Sequence, residues 1–498
     1  MQYMRYLFVC CVLGLSVSNA VAQGGYYVSR TVTYPEVSVT TDATGLPISS
    51  NREDVRAIGM GKAQVANGLQ MNAMLYNPAL LSSNLTRLEI PTVQASLPTK
   101  SFEAISFLAD NVNEFKTGNF LKLIRGGVRD LKVAQNQTEV LAALSKIQAG
   151  LKFPNELQQK VGGTFENPRT HGISITPGVQ LQFGTLGICA YGIAQSGFQV
   201  LPGEAITVLS SIRIPESAAQ LTPEDYLTLL AAVEPLLDAN GEIKDGALPE
   251  AYAVSYLDLV GAVGYALPLS KELSIGANVK LINRRLSSKR VAPDYFDKIL
   301  SEVRKDFNTS VTGVTLDLGG LYRFPSGTQV GVSVLNALPV QKLTSNMSAR
   351  FIATGIADYD RDPSGNIIVD ANGDTALVGA EQKVLVRIPI ELKEPLLLNV
   401  GVTHPIMQQW DVSLDVVDLA SQDDKFENYL ERLRIGTEYR LDAIKDHLGI
   451  ALRAGFADKR PTLGLGINLF RVVQLDGAFA YDSFIGENSY FAQVRLGW

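Results

Sequence analysis

From Leu463 to the carboxy-terminal Trp498, apolar and polar side chains alternate in successive runs. In the last run Tyr490, Ala492, Val494, Leu496 and Trp498 fall on one face, and Phe491, Gln493, Arg495 and Gly497 on the other. That is the period of two a strand imposes. Just before it, Val473, Leu475, Gly477, Phe479 and Tyr481 alternate with Gln474, Asp476, Ala478 and Ala480, and Leu463 to Leu469 repeats the pattern. One face suits lipid and the other a polar lumen. The same period runs through Leu88 to Leu97, Ile173 to Phe183, Leu273 to Leu281 and Val314 to Leu318, and through Val330 to Val334 after a Pro325-Ser326-Gly327 turn.

Elsewhere the period becomes helical. Between Phe102 and Leu157 the apolar positions Ile105, Leu108, Ala109, Val112 and Phe115, then Val140, Leu141, Leu144 and Ile147, fall at helical spacing. A second helix is predicted from Thr222, as N-cap before Pro223, Glu224 and Asp225, to about Leu237. A third runs from Pro293 to Phe307 with Phe296, Ile299, Leu300 and Val303 on one face. Short turns thus alternate with long excursions near 99–170, 204–250, 286–310 and 338–382. Counting gives about fifteen runs, but a barrel with both ends on one side needs an even number. Merging Val384 to Thr403 into one crossing gives the expectation: an all-β, 14-stranded antiparallel transmembrane β-barrel with helical extracellular excursions. A ten-residue run tilted by about 40° covers roughly 25 Å, the height of the apolar band such barrels present to lipid.

At 498 residues the chain is too long for one ordinary soluble domain, yet no Pro- or Ser-rich linker divides it. Arg5, the apolar run Tyr6 to Val17 and Ala20-Val21-Ala22 before Gln23 read as an export signal over 1–22, cleaved after Ala22. The apolar run is shorter than the roughly 20 residues a spanning helix needs. Cys10 and Cys11 leave with it, and Cys189 alone remains. Without Arg5 the formal charge moves from -6 to -7, which argues against a nucleic-acid partner. No later run is apolar enough to span as a helix, so a chain in the membrane crosses as a closed sheet.

Residues 23–87 form an amino-terminal lead and then a stretch of small side chains, Arg56 to Ser83, read as a folded-in segment; the barrel occupies 88–498. The RxxGMGxA opening with Gly59 and Gly61, and the Asn77-Pro78-Ala79 triplet, resemble the amino-terminal hatch of the FadL-like outer-membrane barrels, a superfamily that includes PorV-type secretion components and TraF-like conjugal-transfer proteins. LDLGGLYRF at Leu316 to Phe324, LRIGTEYRL at Leu433 to Leu441, LRAGF at Leu452 to Phe456 and TLGLG at Thr462 to Gly466 look most like the TraF-like branch. The resemblance implies a hatch that plugs the lumen, with Gly59, Gly61, Asn77, Pro78 and Ala79 as gating positions.

Three histidines, His171, His404 and His447, lie far apart at strand ends and read as turn residues rather than a metal site. No serine sits in a G-x-S-x-G elbow, so no enzyme is expected, and no cofactor. The loop Asp358 to Asp374 gathers Asp358, Asp360, Asp362, Ser364, Asp370 and Asp374, a weak calcium candidate. Counted from Asp360, its twelfth position is Ala371 where an EF-hand has a bidentate glutamate, and a solvated turn is favoured. Lys280, Asp317, Arg434, Glu438, Arg453 and Arg495 face the lumen, either lining a polar path or pairing with one another; pairing is favoured. Outer-membrane lipid and, through the aromatic terminus Trp498, the barrel-assembly machinery are the expected partners. The resemblance implies passive admission of a small hydrophobic compound across the outer membrane. Its alternative is a binding or assembly component that docks a secretion or conjugation protein, and a soluble periplasmic sandwich is a third reading.

Overall fold

The computed structural model describes residues 53–68, 73–83, 85–111, 113–114, 118–162, 170–201, 203, 208–209, 222–236, 250–291, 307, 310–346, 349–353, 358–359, 377–378, 383–387, 392, 394–420, 429–444, 447–482 and 487–497. Its sheet is a closed ring. The wall strands are β1 (Leu85–Pro98), β2 (Thr170–Gly184), β3 (Leu186–Leu201), β4 (Glu250–Pro268), β5 (Leu273–Val291), β6 (Ser310–Arg323) and β7 (Gln329–Leu335). They continue as β8 (Leu397–Met407), β9 (Trp410–Val416), β10 (Leu433–Ile444), β11 (Leu448–Ala457), β12 (Arg460–Leu469), β13 (Val473–Asp482) and β14 (Glu487–Gly497). Each pairs antiparallel with its neighbour, and β14 returns to β1 with Val93 opposite Val494 and Leu97 opposite Tyr490. The ring therefore closes at fourteen crossings, and no wall strand is left with an open edge.

Burial inverts that of a soluble protein. Leu463 and Val279 are 59% and 50% exposed, whereas Lys280 and Asp317 are wholly buried. The alternation read from sequence is what sets this: Leu273, Ile275, Val279 and Leu281 of β5 point outward while Ser274, Asn278 and Lys280 point in. An outward belt of aliphatic side chains around a polar interior is the signature of a sheet solvated by hydrocarbon. The short turns, at 269–272, 324–328, 408–409 and 470–472, gather at one end, and the long connections at the other. Two hairpins turn without glycine: Asp458 and Lys459 at the long-loop end, and Phe470 and Arg471 at the short-turn end, hold φ between 52° and 60°. Paired positive φ values match the right-handed twist of the flanking strands.

The merged crossing from Val384 to Thr403 is corrected. Only Leu397–Met407 crosses; Lys383–Arg387 pairs instead with Ala349–Ala353. These strands belong to a separate unit, whose described residues also pair Asp358 and Tyr359 with Val378 and Leu377. The extra run in the count is thus the one at Val384, which pairs outside the wall sheet; inside the connection expected over 338–382, Gln341–Asn346 lies along Ser310 to Val314 of β6 beyond the point where β7 stops. β5 continues to Val291, so the connection expected from 286 begins at 292. Residues 293–306 of the third predicted helix, Asp360, Asp362 and Trp498 lie outside the described residues.

Within the lumen run two short helices, α1 (Val55–Gly59) and α2 (Ala73–Tyr76). The first long connection is helical as predicted: α3 (Ser101–Asp110), α4 (Asn119–Val133) and α5 (Gln137–Leu157). α4 and α5 cross closely because Gly127 and Gly150 leave room for each other's turns; a Cβ at Gly150 would lie 2.7 Å from Ile124 Cγ1. Around that crossing Phe120, Leu121, Ile124, Leu144, Ile147 and Phe153 bury a core of their own. α6 (Pro223–Val233) starts where the sequence places it: Thr222 Oγ1 accepts from Asp225 N and Asp225 Oδ2 from Thr222 N, a reciprocal cap.

The belt makes a direct prediction. Leu465→Arg, mid-strand and outward on β12, should cost about 2–4 kcal/mol of folding free energy in lipid vesicles, read by denaturant titration of tryptophan fluorescence.

Candidate functional site

Residues 53–68 and 73–83 lie against the lumenal face of the wall and touch it almost backbone to backbone. Two glycine sets make this possible. On the segment, Gly61 has φ +62°, and a Cβ there would fall 2.6 Å from Phe456 N; on the wall, a Cβ at Gly455 would fall 2.7 Å from Gly61 Cα. Further along, a Cβ at Gly276 would meet Ala79 N at 2.5 Å and one at Gly319 would meet Pro78 Cδ at 2.9 Å. No other residue type permits such approach without displacing the segment. Asn77 completes the seat: its Nδ2 donates to Val65 O at 2.9 Å and Gly320 O at 3.0 Å, and its Oδ1 accepts from Ala79 N at 3.1 Å. Gly59, Gly61, Asn77, Pro78 and Ala79 are thus all contact points with the wall or within the segment's own fold.

The second tie is electrostatic. Arg56 of α1 forms a two-pronged pair with Glu438, Nε to Oε1 at 3.0 Å and Nη2 to Oε2 at 2.8 Å. Glu438 also accepts from Arg453 Nε at 2.8 Å, and Arg453 Nη1 donates to Asp476 Oδ1 at 2.7 Å. Asp476 accepts in turn from Arg495 Nη2 at 3.0 Å, and Arg495 Nη1 returns to the segment at Asp54 Oδ2, 3.3 Å away. The chain of charges leaves the segment at Arg56, crosses β10, β11, β13 and β14, and comes back to the N-cap of α1. Burial alone would depress the Arg56 guanidinium, but Glu438, Asp54 and Asp476 outweigh it and hold it above its ordinary value. A further cluster stands nearer the long-loop end. Lys62 pairs with Glu53 at 3.0 Å and Asp458 at 3.5 Å, and Asp458 takes Arg434 Nη2 at 2.6 Å. Burial works against both Lys62 and Asp458; Glu53 and Asp458 nonetheless raise the Lys62 ammonium, and Lys62 and Arg434 lower the Asp458 carboxyl.

The sequence reading missed a contact made to the lumenal face from the connection before β8. Glu394, in the connection leading into β8, is buried against Arg284 Nη2 at 2.7 Å, which also bonds Asp258 at 2.7 Å. Asn336, at φ 54°, joins this insert to the wall: Nδ2 donates to Pro395 O at 2.8 Å, and Oδ1 takes Lys280 Nζ at 2.9 Å. Lys280 also pairs with Asp317 at 2.9 Å. All six predicted lumenal charges are therefore inward and paired, and they fall into separate clusters rather than one line. Among the described residues no group of His, Cys, Asp or Glu has the makings of a metal site.

Beside the segment lies a chamber of about 300 Å³. Gln94, Ser96, Thr176 and Gln195 supply polar walls, while Ile58, Leu75, Ile193, Tyr256, Leu335 and Phe491 supply apolar ones. This is where the polar-inside rule breaks: Cys189, Tyr191, Ile193, Tyr256, Val260 and Ala262 of β3 and β4 are inward and buried, packed with Met74, Leu75 and Leu81 of the segment. Tyr256 Oη donates to Gln195 Oε1, turning its ring to the chamber wall. Among the histidines, His171 is buried with Nε2 on Val161 O at 2.8 Å, His404 bonds Thr328 and His447 stacks edge-on to Phe470.

Two predictions follow the charge pattern. Glu438→Ala leaves the Arg56 and Arg453 guanidiniums buried without their shared acceptor and should cost about 3–5 kcal/mol in denaturant unfolding from micelles. The Lys62–Asp458–Arg434 tie should have two pH limits. The lowered Asp458 contributes fully above the ordinary carboxylate value near 3.9 and loses its contribution as pH falls through the folded value. The raised Lys62 contributes fully below about 10.4 and loses its contribution as pH climbs through its folded value. Protease cleavage within 53–83 should therefore rise at both extremes, and Asp458→Asn should abolish the acid limb alone.

No protein-family model matches the sequence, and no curated protein does. Solved structures resemble it in outline. A TodX monoaromatic hydrocarbon channel mutant matches at TM-score 0.42 and 10% identity over 89% of this chain and 97% of its own. The Ralstonia pickettii toluene transporter TbuX matches at 0.40 and 12% over 90% and 97%. A Pseudomonas aeruginosa FadL homologue matches at 0.31 and 10% over 89% and 97%. TraF-like and PorV-type barrels are not among these, and the closed strand pairing above, rather than the likeness, carries the fold.

Proposed function

We propose that this chain is an outer-membrane channel that admits a small hydrophobic compound when the segment 53–83 shifts from its seat. The observation that carries the reading is the apolar stretch of lumenal wall on β3 and β4, of which Ile193 and Tyr256 face the chamber beside that segment. Besides packing on the segment, Ile193 and Tyr256 offer the chamber an apolar surface, which an apolar solute needs to leave water. The segment is held by backbone contacts and paired charges on one side and by the packing of Met74, Leu75 and Leu81 against β3 and β4 on the other, so a shift of the segment would bare that apolar wall. The export signal and the outward aliphatic belt support an outer-membrane location, with the short turns in the periplasm and the helical connections outside. The chemistry is binding and passage, with no bond made or broken.

A second reading, a docking component of a secretion or conjugation system, is favoured by one observation: α3 to α5, with α6 and Val200 of β3, bury an apolar core at the end of the wall, more structure than a simple loop requires. One experiment separates the two. Cells producing the chain should take up labelled toluene several times faster than cells without it, and Ile193→Asn with Phe491→Asn should remove most of that gain while the protein keeps its folded-barrel shift on unboiled gels. Unchanged uptake in the variant, or uptake no faster than in control cells, counts against the channel; a stoichiometric secretion partner in cross-linked outer membranes favours docking.

A further inference from the structure

We propose that the short-turn mouth of the lumen is a binding site for a small multivalent oxyanion, a polycarboxylate or a phosphate compound. A cavity of about 290 Å³ opens there, on the side of Glu438 that faces the short turns. Five arginines line it, Arg87, Arg440 and Arg453 among them, against two acids, Glu438 and Asp442. The chamber beside the segment is balanced instead, Lys62 and Arg434 against Glu53 and Asp482. The excess of guanidinium belongs to one end of the lumen.

The hydrogen bonds say which donors remain. Glu438 is shared by three guanidiniums, Arg56, Arg453 and, through Nη1 at 3.2 Å, Arg440, so its two oxygens have no capacity left for another strong donor. Arg87 meets Glu89 through Nε at 3.1 Å, and neither of its Nη groups has a partner among the described residues. Arg453 spends Nε and Nη1 on Glu438 and Asp476, and its Nη2 has none among them. Arg440 is about one-third exposed and uses Nη1 and Nη2 on Glu438 and Asp411, leaving Nε. Planar forks from β1, β10 and β11 thus converge on one recess with N–H groups to spare, the arrangement that matches carboxylate and phosphate oxygens two at a time. Several forks on separate strands favour a ligand with more than one anionic group. Asn468 adds an amide to the same lining. Guanidinium stays protonated throughout the accessible pH range, so binding should be nearly pH-independent and sensitive to salt. The inference rests on this recess alone and stands or falls separately from what crosses the channel.

The test is calorimetric titration of the full chain in micelles at low ionic strength, with sodium pyrophosphate and with citrate as separate probes. The expected result is saturable binding of one anion per chain by at least one probe, weakened by added salt and at least about tenfold weaker in Arg87→Gln/Arg440→Gln. Pyrophosphate alone would assign the site to phosphate compounds and citrate alone to polycarboxylates. If the double variant loses the folded-barrel gel shift, each single variant is read instead, with about threefold or greater weakening expected. No saturable binding by either probe, or equal binding by folded variants, overturns the proposal.

Discussion

A charge turned into the lumen of a lipid-solvated barrel has to find its counter-charge inside that lumen, because the wall gives it no route to water through hydrocarbon. The Arg56–Glu438 pair is where this constraint is met across two different parts of the chain. Glu438 sits on an inward position of β10, and the guanidinium that answers it comes from the segment at the other end of the sequence. The segment is therefore a set of counter-ions for the wall as well as an obstruction of the bore. Its displacement requires that Glu438, Asp476 and Arg495 exchange partners or meet water as it leaves.

Close approach and charge pairing act together here. Glycine at an inward wall position costs the sheet little and lets the segment's backbone come near enough for Arg56 to reach Glu438 in a fork geometry. A larger residue at Gly455 or Gly319 would lift the segment and lengthen those bonds, so the two ties are not independent. The apolar patch on β3 and β4 lies on another part of the wall, which leaves one side of the lumen bound to the segment by charge and the other in contact with Met74, Leu75 and Leu81.

Much of the barrel was legible because a period of two with one greasy face has few physical solutions in a chain this long. The runs around Leu273 to Leu281 and Tyr490 to Gly497 fold with the faces the alternation assigns. The strand motifs that carried the family resemblance have a structural meaning the sequence did not disclose. Gly319, Gly436, Gly455 and Gly464 within them are the inward positions against which the segment is seated. Partnership was less legible. Polar inward residues were foreseeable at Lys280, Glu438 and Arg453, but which charge meets which depends on register across strands far apart in sequence. The insert at Glu394 was hidden because its partners, Arg284 and Asp258, lie on β4 and β5 more than a hundred positions earlier in the chain. The merge of Val384 with β8 failed for another reason: the short apolar run Val384 to Val386 satisfies a separate small pairing as well as it would a crossing.

Asp54 and Arg56 are bonded to residues 441 and 382 positions further along the chain. During export the segment emerges long before the strands that hold it, and it cannot find its place until β10 to β14 exist. The segment's full set of contacts is therefore complete only when β14 is in place. A barrel stalled one strand short would lack the Arg495 that reaches Asp54 and the Gln493 that accepts from Val55 N, so the segment would miss its holds on the closing strand.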